Sequence, residues 1–237
     1  MSKKGTLYLI PTVIAPQTEE RVLPPELKQL CNQIDYYLVE NIRTARRCLS
    51  AMKISKPIEE LEFHELSKKT NPTEIASLMA PLMKDISIGV MSEAGCPGIA
   101  DPGAVAVAYA HQNGIKVMPM VGPSSIFLAL MASGFSGQSF TFHGYLPINK
   151  AERIQSIKNL ESLAGKSGQT QIFMETPYRN NHLLDDILNT CSNHLKLCIA
   201  RDITGPQEMI VTDQIQNWKR NKPDLHKQPC IFLLSNT

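Results

Sequence analysis

The chain has 237 residues, 43% of them hydrophobic and 19% charged, a balance that excludes a disordered chain and allows one large domain or two small ones. Its net charge of +2 does not by itself announce nucleic-acid binding, and it leaves both uncharged and anionic substrates open. The six cysteines (Cys31, Cys48, Cys96, Cys191, Cys198 and Cys230) lack C-x-x-C spacing, which points to free thiols rather than a disulfide framework or a zinc site.

Lys3 and Lys4 precede an apolar stretch, yet Pro11 interrupts it and no small-residue cleavage site follows, so no secretory leader is expected. The most apolar region, 117–135, is broken by Pro119, Gly122, Pro123, Ser124 and Ser125 and makes a poor membrane span. The expectation is a reduced cytoplasmic protein with no membrane segment.

In chain order, 6–13 (TLYLIPTV) reads as a first strand, 19–32 as a helix and 35–40 as a second strand. Asn41 can cap a helix running to about Met52, with Arg43, Arg46 and Arg47 on its polar side. A weaker strand at 61–66 precedes a helix opened by Asn71-Pro72-Thr73-Glu74 and running to about Lys84. The continuous apolar run 86–91 fits a strand covered on both faces.

Residues 89–103 (GVMSEAGCPGIADPG) then alternate glycine with proline around Glu93 and Asp101. Such a segment cannot be helix or strand throughout, and a shaped loop after a strand is where α/β proteins place ligands. A helix at 104–112 and a strand at 115–118 complete an alternation that implies parallel βαβ units.

A second Gly/Pro/Ser turn at 119–125 (PMVGPSS) leads into a helix at 126–132. Strands follow at 139–143, 170–174, 196–200, 209–212 and 230–234, with helices near 150–163 and 179–190. The later strands have fewer helices between them, which implies a mixed sheet. The fold class is therefore α/β with two lobes, an N-terminal lobe at 1–119 with a largely parallel sheet and a C-terminal lobe at 120–237 with a mixed one. G-x-G-x-x-G after the first strand, a P-loop and H-E-x-x-H are all absent, and no clustered Cys/His set predicts a metal.

Several blocks together resemble the tetrapyrrole methylase superfamily of S-adenosylmethionine (SAM) methyltransferases. The resemblance is closest to its branch of 16S ribosomal RNA 2′-O-methyltransferases (small-subunit methyltransferase I). The blocks are Leu7–Thr12, Glu40-Asn41-Ile42-Arg43, Ser92–Gly103, Val117–Ser124, Ala132-Ser133-Gly134, Gly144-Tyr145-Leu146-Pro147, Glu175–Arg179 and Ala200–Thr204, in that order.

The resemblance implies two α/β lobes with SAM in the cleft between them, in a homodimer. It places SAM against Ser92, Gly95, Cys96, Pro97 and Ile99, with Ser124, Ser125 and Ile126 at the start of the second lobe. Met174, Ala200 and Pro229 at strand ends of that lobe, and Pro11 after the first strand, are the remaining expected contacts. A hydroxyl acceptor benefits from a base, for which Glu93 and Glu40 are the candidates. This chain departs from the branch at Ala15-Pro16-Gln17, at Asn41 in place of an acid, at Glu93 in place of Asp and at Cys96 in place of Thr.

The expected activity is SAM-dependent methylation of ribosomal RNA, in the small subunit, at a ribose 2′-hydroxyl. The alternatives are methylation of a corrin, porphyrin or other small molecule, and a SAM-binding protein without enzymatic activity.

Overall fold

The computed structural model describes residues 3–67 and 69–236. The chain divides into two compact units between Ser124 and Ser125. In the first unit the elements are β1 (Thr6–Ile10), α1 (Glu19–Val22), α2 (Pro25–Cys31), β2 (Tyr36–Val39), α3 (Ile42–Ala51), β3 (Glu62–Glu65), α4 (Pro72–Met79), β4 (Ile88–Met91), α5 (Gly103–Gln112) and β5 (Lys116–Pro119). The second holds α6 (Ser125–Ser133), β6 (Phe140–Tyr145), α7 (Lys150–Ser167), β7 (Thr170–Glu175), α8 (Asn180–Thr190), β8 (Lys196–Arg201), β9 (Met209–Gln214), α9 (Ile215–Arg220) and β10 (Cys230–Ser235).

The first sheet has the order β3-β2-β4-β1-β5, and every pairing in it is parallel. Parallel strands need helical crossovers, which cover both faces and bury the strands on each side. Along β1 the alternation is direct. Leu7 packs with Ile88, Ala106 and Ala110 on one face, whereas Ile10 packs with Tyr37, Leu49 and Met91 on the other. Gly89 in β4 is required by that second face: a Cβ there would lie 2.7 Å from Ile10 Cδ1 and 3.0 Å from the Tyr37 ring.

The helix expected at 19–32 is two helices, because Pro24 and Pro25 break it and Pro25 starts α2 with its fixed φ. The helix expected to reach Lys84 ends at Met79 and tightens into a 3-10 turn at Ala80–Lys84, where Pro81 cannot supply the next α-helical donor. Its start follows the expected chemistry: Asn71 accepts from the Glu74 amide and the Glu74 side chain accepts from the Asn71 amide, a capping box.

In the second unit the order is β6-β7-β10-β8-β9, with β6 and β7 parallel and the other three pairings antiparallel. This is the mixed sheet expected from the sparser helices. Phe173, Phe232 and Ile199 face α7 and α8, while Ile172, Ile231 and Ala200 face α6. Arg153 on α7 is buried against Asp186 on α8, its Nε at 2.8 Å and its terminal nitrogen at 2.6 Å from Asp186 Oδ2. The same guanidinium also donates to the Ile148 carbonyl at 2.8 Å, fixing the turn before α7. Among the described residues no helix is long and apolar enough to cross a membrane.

Candidate functional site: loops at the carboxyl ends of the first sheet

β1 and β4 are neighbours, yet the chain leaves β1 for β2, beyond β4, and leaves β4 for β5, beyond β1. Divergent connections of this kind open a crevice at the carboxyl ends of adjacent parallel strands. The two loops that begin there are tied together. The Thr12 amide donates to Gly95 O at 2.9 Å, and Thr12 Oγ1 donates to Ser92 O at 3.4 Å. Gly95 sits at φ +74°, a left-handed conformation that a side chain would strain.

Farther along the loop, Asp101 Oδ1 accepts from two amides, those of Gly98 and Gly103, each at 2.7 Å. Gly103 opens α5, so one carboxylate oxygen fixes both the loop and the start of the helix. A Cβ on Gly103 would approach Gly98 N to 2.8 Å, which explains a glycine in a helical position.

A third loop joins from β5. The Met120 amide donates to Leu9 O at 3.0 Å, and Gly122 lies so close to the Pro11 ring that a Cβ would overlap it. The Cys96 thiol donates to Pro123 O at 3.4 Å. Burial and the neighbouring Asp101 push that thiol's pKa up, which makes Cys96 a donor rather than a nucleophile. These contacts tie residues 120–124 to the first unit.

Both candidate bases meet in this unit. Glu40, one residue past β2, accepts the Glu93 amide on its Oε2 at 3.1 Å. Thr44 on α3 donates its hydroxyl to Glu93 Oε1 at 3.4 Å, while its amide is capped by Asn41 Oδ1 at 3.1 Å. Asn41 therefore does a helix-capping task that an acid also performs. Of the other expected residues, Ser92 and Pro97 are buried, Ile99 is 54% exposed and Ser124 is half-buried.

In the second unit Ser125 is the first residue of α6 and Ile126 is buried behind it. Met174 and Ala200 flank Ile231 at the same register, on the α6-facing side of the sheet, and Ile126 belongs to that cluster. The Pro229 carbonyl accepts from the Asp202 amide at 2.9 Å, so Pro229 anchors the turn after β8. Glu175 Oε1 takes the Thr176 amide and an Arg179 nitrogen, both at 2.6 Å, a lock for the turn into α8.

Thr12, Thr44, Asp101 and Gly122 hold these loops and carried no role in the sequence reading. Asp101 alone had a local signal, an Asp two residues ahead of a helix-opening glycine, the spacing of an Asx turn. Among the described residues no group of three or more His, Cys, Asp or Glu side chains could hold a metal ion.

No family model matches the chain. Its sequence is similar to the ribosomal RNA small subunit methyltransferase I of Thermotoga maritima, 33% identical over 224 residues that make up 92% of this chain and 94% of that protein. It is also similar to the enzyme of that name from Halalkalibacterium halodurans, 32% identical over 237 residues, 98% of this chain and 77% of that protein.

Among solved structures, the fold matches the methyltransferase CobJ with a TM-score of 0.63 at 15% identity, covering 98% of this chain and 95% of that one. It matches a cobalt precorrin-4 methyltransferase with a TM-score of 0.61 at 14% identity, covering 97% and 94%. Those two likenesses give the fold, that of the tetrapyrrole methylases. The relatives at 32–33% identity give more: the chain belongs to the ribosomal RNA small subunit methyltransferase I family of methyltransferases.

Proposed function

We propose that the chain transfers the methyl group of SAM to a ribose 2′-hydroxyl of small-subunit ribosomal RNA. The observation that carries this reading is family membership over nearly the whole chain. The corrin and porphyrin enzymes share the fold at 14–15% identity and carry no argument for their acceptors here.

The loop suits a cofactor held by backbone. A Cβ on Gly95 would meet Pro123 O at 3.5 Å, an ordinary contact, so it is the left-handed φ of +74° rather than crowding that calls for glycine where the loop turns its backbone. In this reading Pro11, Ser92, Gly95, Cys96, Pro97, Ile99 and Ser124 contact SAM from the first unit. Ser125, Ile126, Met174, Ala200 and Pro229 are the contacts proposed from the second, where Met174 is the partly exposed member of an apolar cluster that buries Ile126 and Ala200. SAM, when bound, would supply a methyl group on a sulfonium, whose carbon an acceptor oxygen can attack in line as the C–S bond breaks and S-adenosylhomocysteine leaves.

The protein's task is alignment and proton removal. Glu93, oriented by Thr44, takes the hydroxyl proton, and Glu40 fixes the backbone beneath it. We carry a homodimeric, cytoplasmic enzyme as part of the same proposal.

Incubation with methyl-labelled SAM and small ribosomal subunits from cells lacking their own methylation tests the reading. Label in 16S RNA supports it. Label in a tetrapyrrole and none in RNA overturns it.

A further inference from the structure

The polar side of α3 carries Arg43, Arg46 and Arg47, a spacing of three and four residues that sets them on one helix face. All three are exposed, while Ala45, Cys48 and Leu49 on the opposite face are buried. With Asn41, Ile42 and Glu65 they line a shallow depression of about 550 Å3.

Other arginines of the chain are used internally: Arg153 pairs with Asp186, and Arg179 with Glu175. Among the described residues Arg43, Arg46 and Arg47 make no ion pair with a carboxylate. Arg46 instead lies over the Phe63 ring, 5.9 Å from its centroid, which orders the guanidinium without neutralising it. Glu65, which also lines the depression, repels an anion and favours its seating on the arginine side.

The location matters as much as the charge. α3 starts two residues after Glu40, and Thr44, which donates to Glu93, is flanked in sequence by Arg43 and by Ala45 before Arg46. One turn of helix advances about 5.4 Å. Three unneutralised guanidinium groups thus stand within about a turn of the residue that orients Glu93.

A guanidinium binds phosphate oxygens through paired N–H donors and stays charged at any working pH. We propose that this face of α3 seats the phosphodiester backbone of the RNA strand on either side of the methylated ribose, which makes Arg43, Arg46 and Arg47 positioning residues for the acceptor. The inference rests on the RNA reading above and adds to it where the strand runs.

The test compares the parent, Arg43→Ala/Arg46→Ala/Arg47→Ala and the charge-matched control Lys116→Ala/Lys158→Ala/Lys166→Ala. The control lysines are exposed, Lys116 at the amino end of β5, opposite the carboxyl ends that carry the loops, and Lys158 and Lys166 on α7. KM for undermethylated small subunits, binding of a protein-free 16S RNA fragment against salt, and S-adenosylhomocysteine binding are measured for each.

Each lost phosphate contact lowers the slope of log K against log salt by about 0.7–0.9, so three lower it by roughly 2–3. The parent's RNA affinity should therefore fall on the order of 20–40-fold more than the variant's between 50 and 200 mM salt. KM should rise at least tenfold in the arginine variant alone, with S-adenosylhomocysteine binding retained. Arg43→Lys/Arg47→Lys, which keeps the charge but not the fork, should recover part of the loss.

A parent that methylates RNA beside an arginine variant of equal KM and equal salt slope overturns the inference and leaves the RNA reading standing. Loss of binding to whole subunits with unchanged binding to naked RNA assigns the face to a ribosomal protein and also overturns it. A parent that methylates no RNA removes the reading and the inference together.

Discussion

Asp101→Ala removes the one carboxylate oxygen that accepts from both Gly98 N and Gly103 N at 2.7 Å. Hydrogen bonds to a charged acceptor contribute about 1.5–3 kcal/mol each. Asp101 is half-buried, so the lower figure applies, and the two together come to about 3 kcal/mol. For a chain of this size each kcal/mol shifts Tm by roughly 2–4 °C, which predicts a fall of roughly 6–12 °C in the melting of the first unit.

Asp101→Asn keeps an oxygen in place but loses the charge, and neutral bonds are about half as strong, so roughly half the fall is expected. Calorimetric melts give the stability, and titration with S-adenosylhomocysteine gives the consequence for the loop. Binding should weaken about tenfold if as little as 1.4 kcal/mol of loop order is lost. An Asp101→Ala protein that melts with the parent and binds S-adenosylhomocysteine equally well would refute the anchoring role.

Three further outcomes follow from the packing. Gly122→Ala drives a methyl group into the Pro11 ring and should cost about 1–3 kcal/mol with weakened S-adenosylhomocysteine binding. Gly137→Ala, whose Cβ would meet only Leu130 Cδ2 at 4.0 Å, should melt like the parent; equal effects at both sites would contradict the close approach of Pro11 and Gly122. Arg153→Ala leaves the buried Asp186 with only the exposed Lys150 beside it, at 3.9 Å, and should cost about 3 kcal/mol in chemical denaturation, much of it recovered by Arg153→Met/Asp186→Leu.

Burial pushes Cys31, Cys191 and Cys230 up to about 12 and Cys48 and Cys198 up to about 11. The unfolded thiols ionise first, so this stabilisation is intact below about pH 8.5 and is lost between there and pH 11–12, by up to about 1.4 kcal/mol per pH unit for each thiol. Tm measured from pH 8 upward should fall steeply, and a flat profile would contradict the burial of these cysteines.

The elements that local chemistry dictates were legible in the sequence. Of the apolar run expected as a strand at 86–91, Ile88–Met91 is the buried central strand while Ile86 stays exposed ahead of it, and Asn71 and Glu74 announce their capping box within four residues. The break between α1 and α2 was written in Pro24-Pro25 but outweighed by the helix formers around it. The candidate site was half legible. Glycine and proline marked the loop at 89–103, and its order with the other blocks marked the family.

What holds the loop was not legible, because its partners are remote in sequence. Thr12 finds Gly95 only after β1 and β4 pair, and Thr44 finds Glu93 only after α3 packs beside β4's loop. The same holds for Gly122, an ordinary turn residue until Pro11 is set beside it. Arg43, Arg46 and Arg47 read as a solvated helix face in sequence; the lining of the depression and the lack of ion pairs set them apart from Arg153 and Arg179.

The central claim is the acceptor. Small ribosomal subunits from cells lacking their own methylation, incubated with the protein and methyl-labelled SAM, should yield 16S RNA whose label survives alkaline hydrolysis in a dinucleotide, since a 2′-O-methyl group protects the adjoining phosphodiester. Label confined to a base or to protein, or no label in RNA, would contradict methylation at a ribose 2′-hydroxyl.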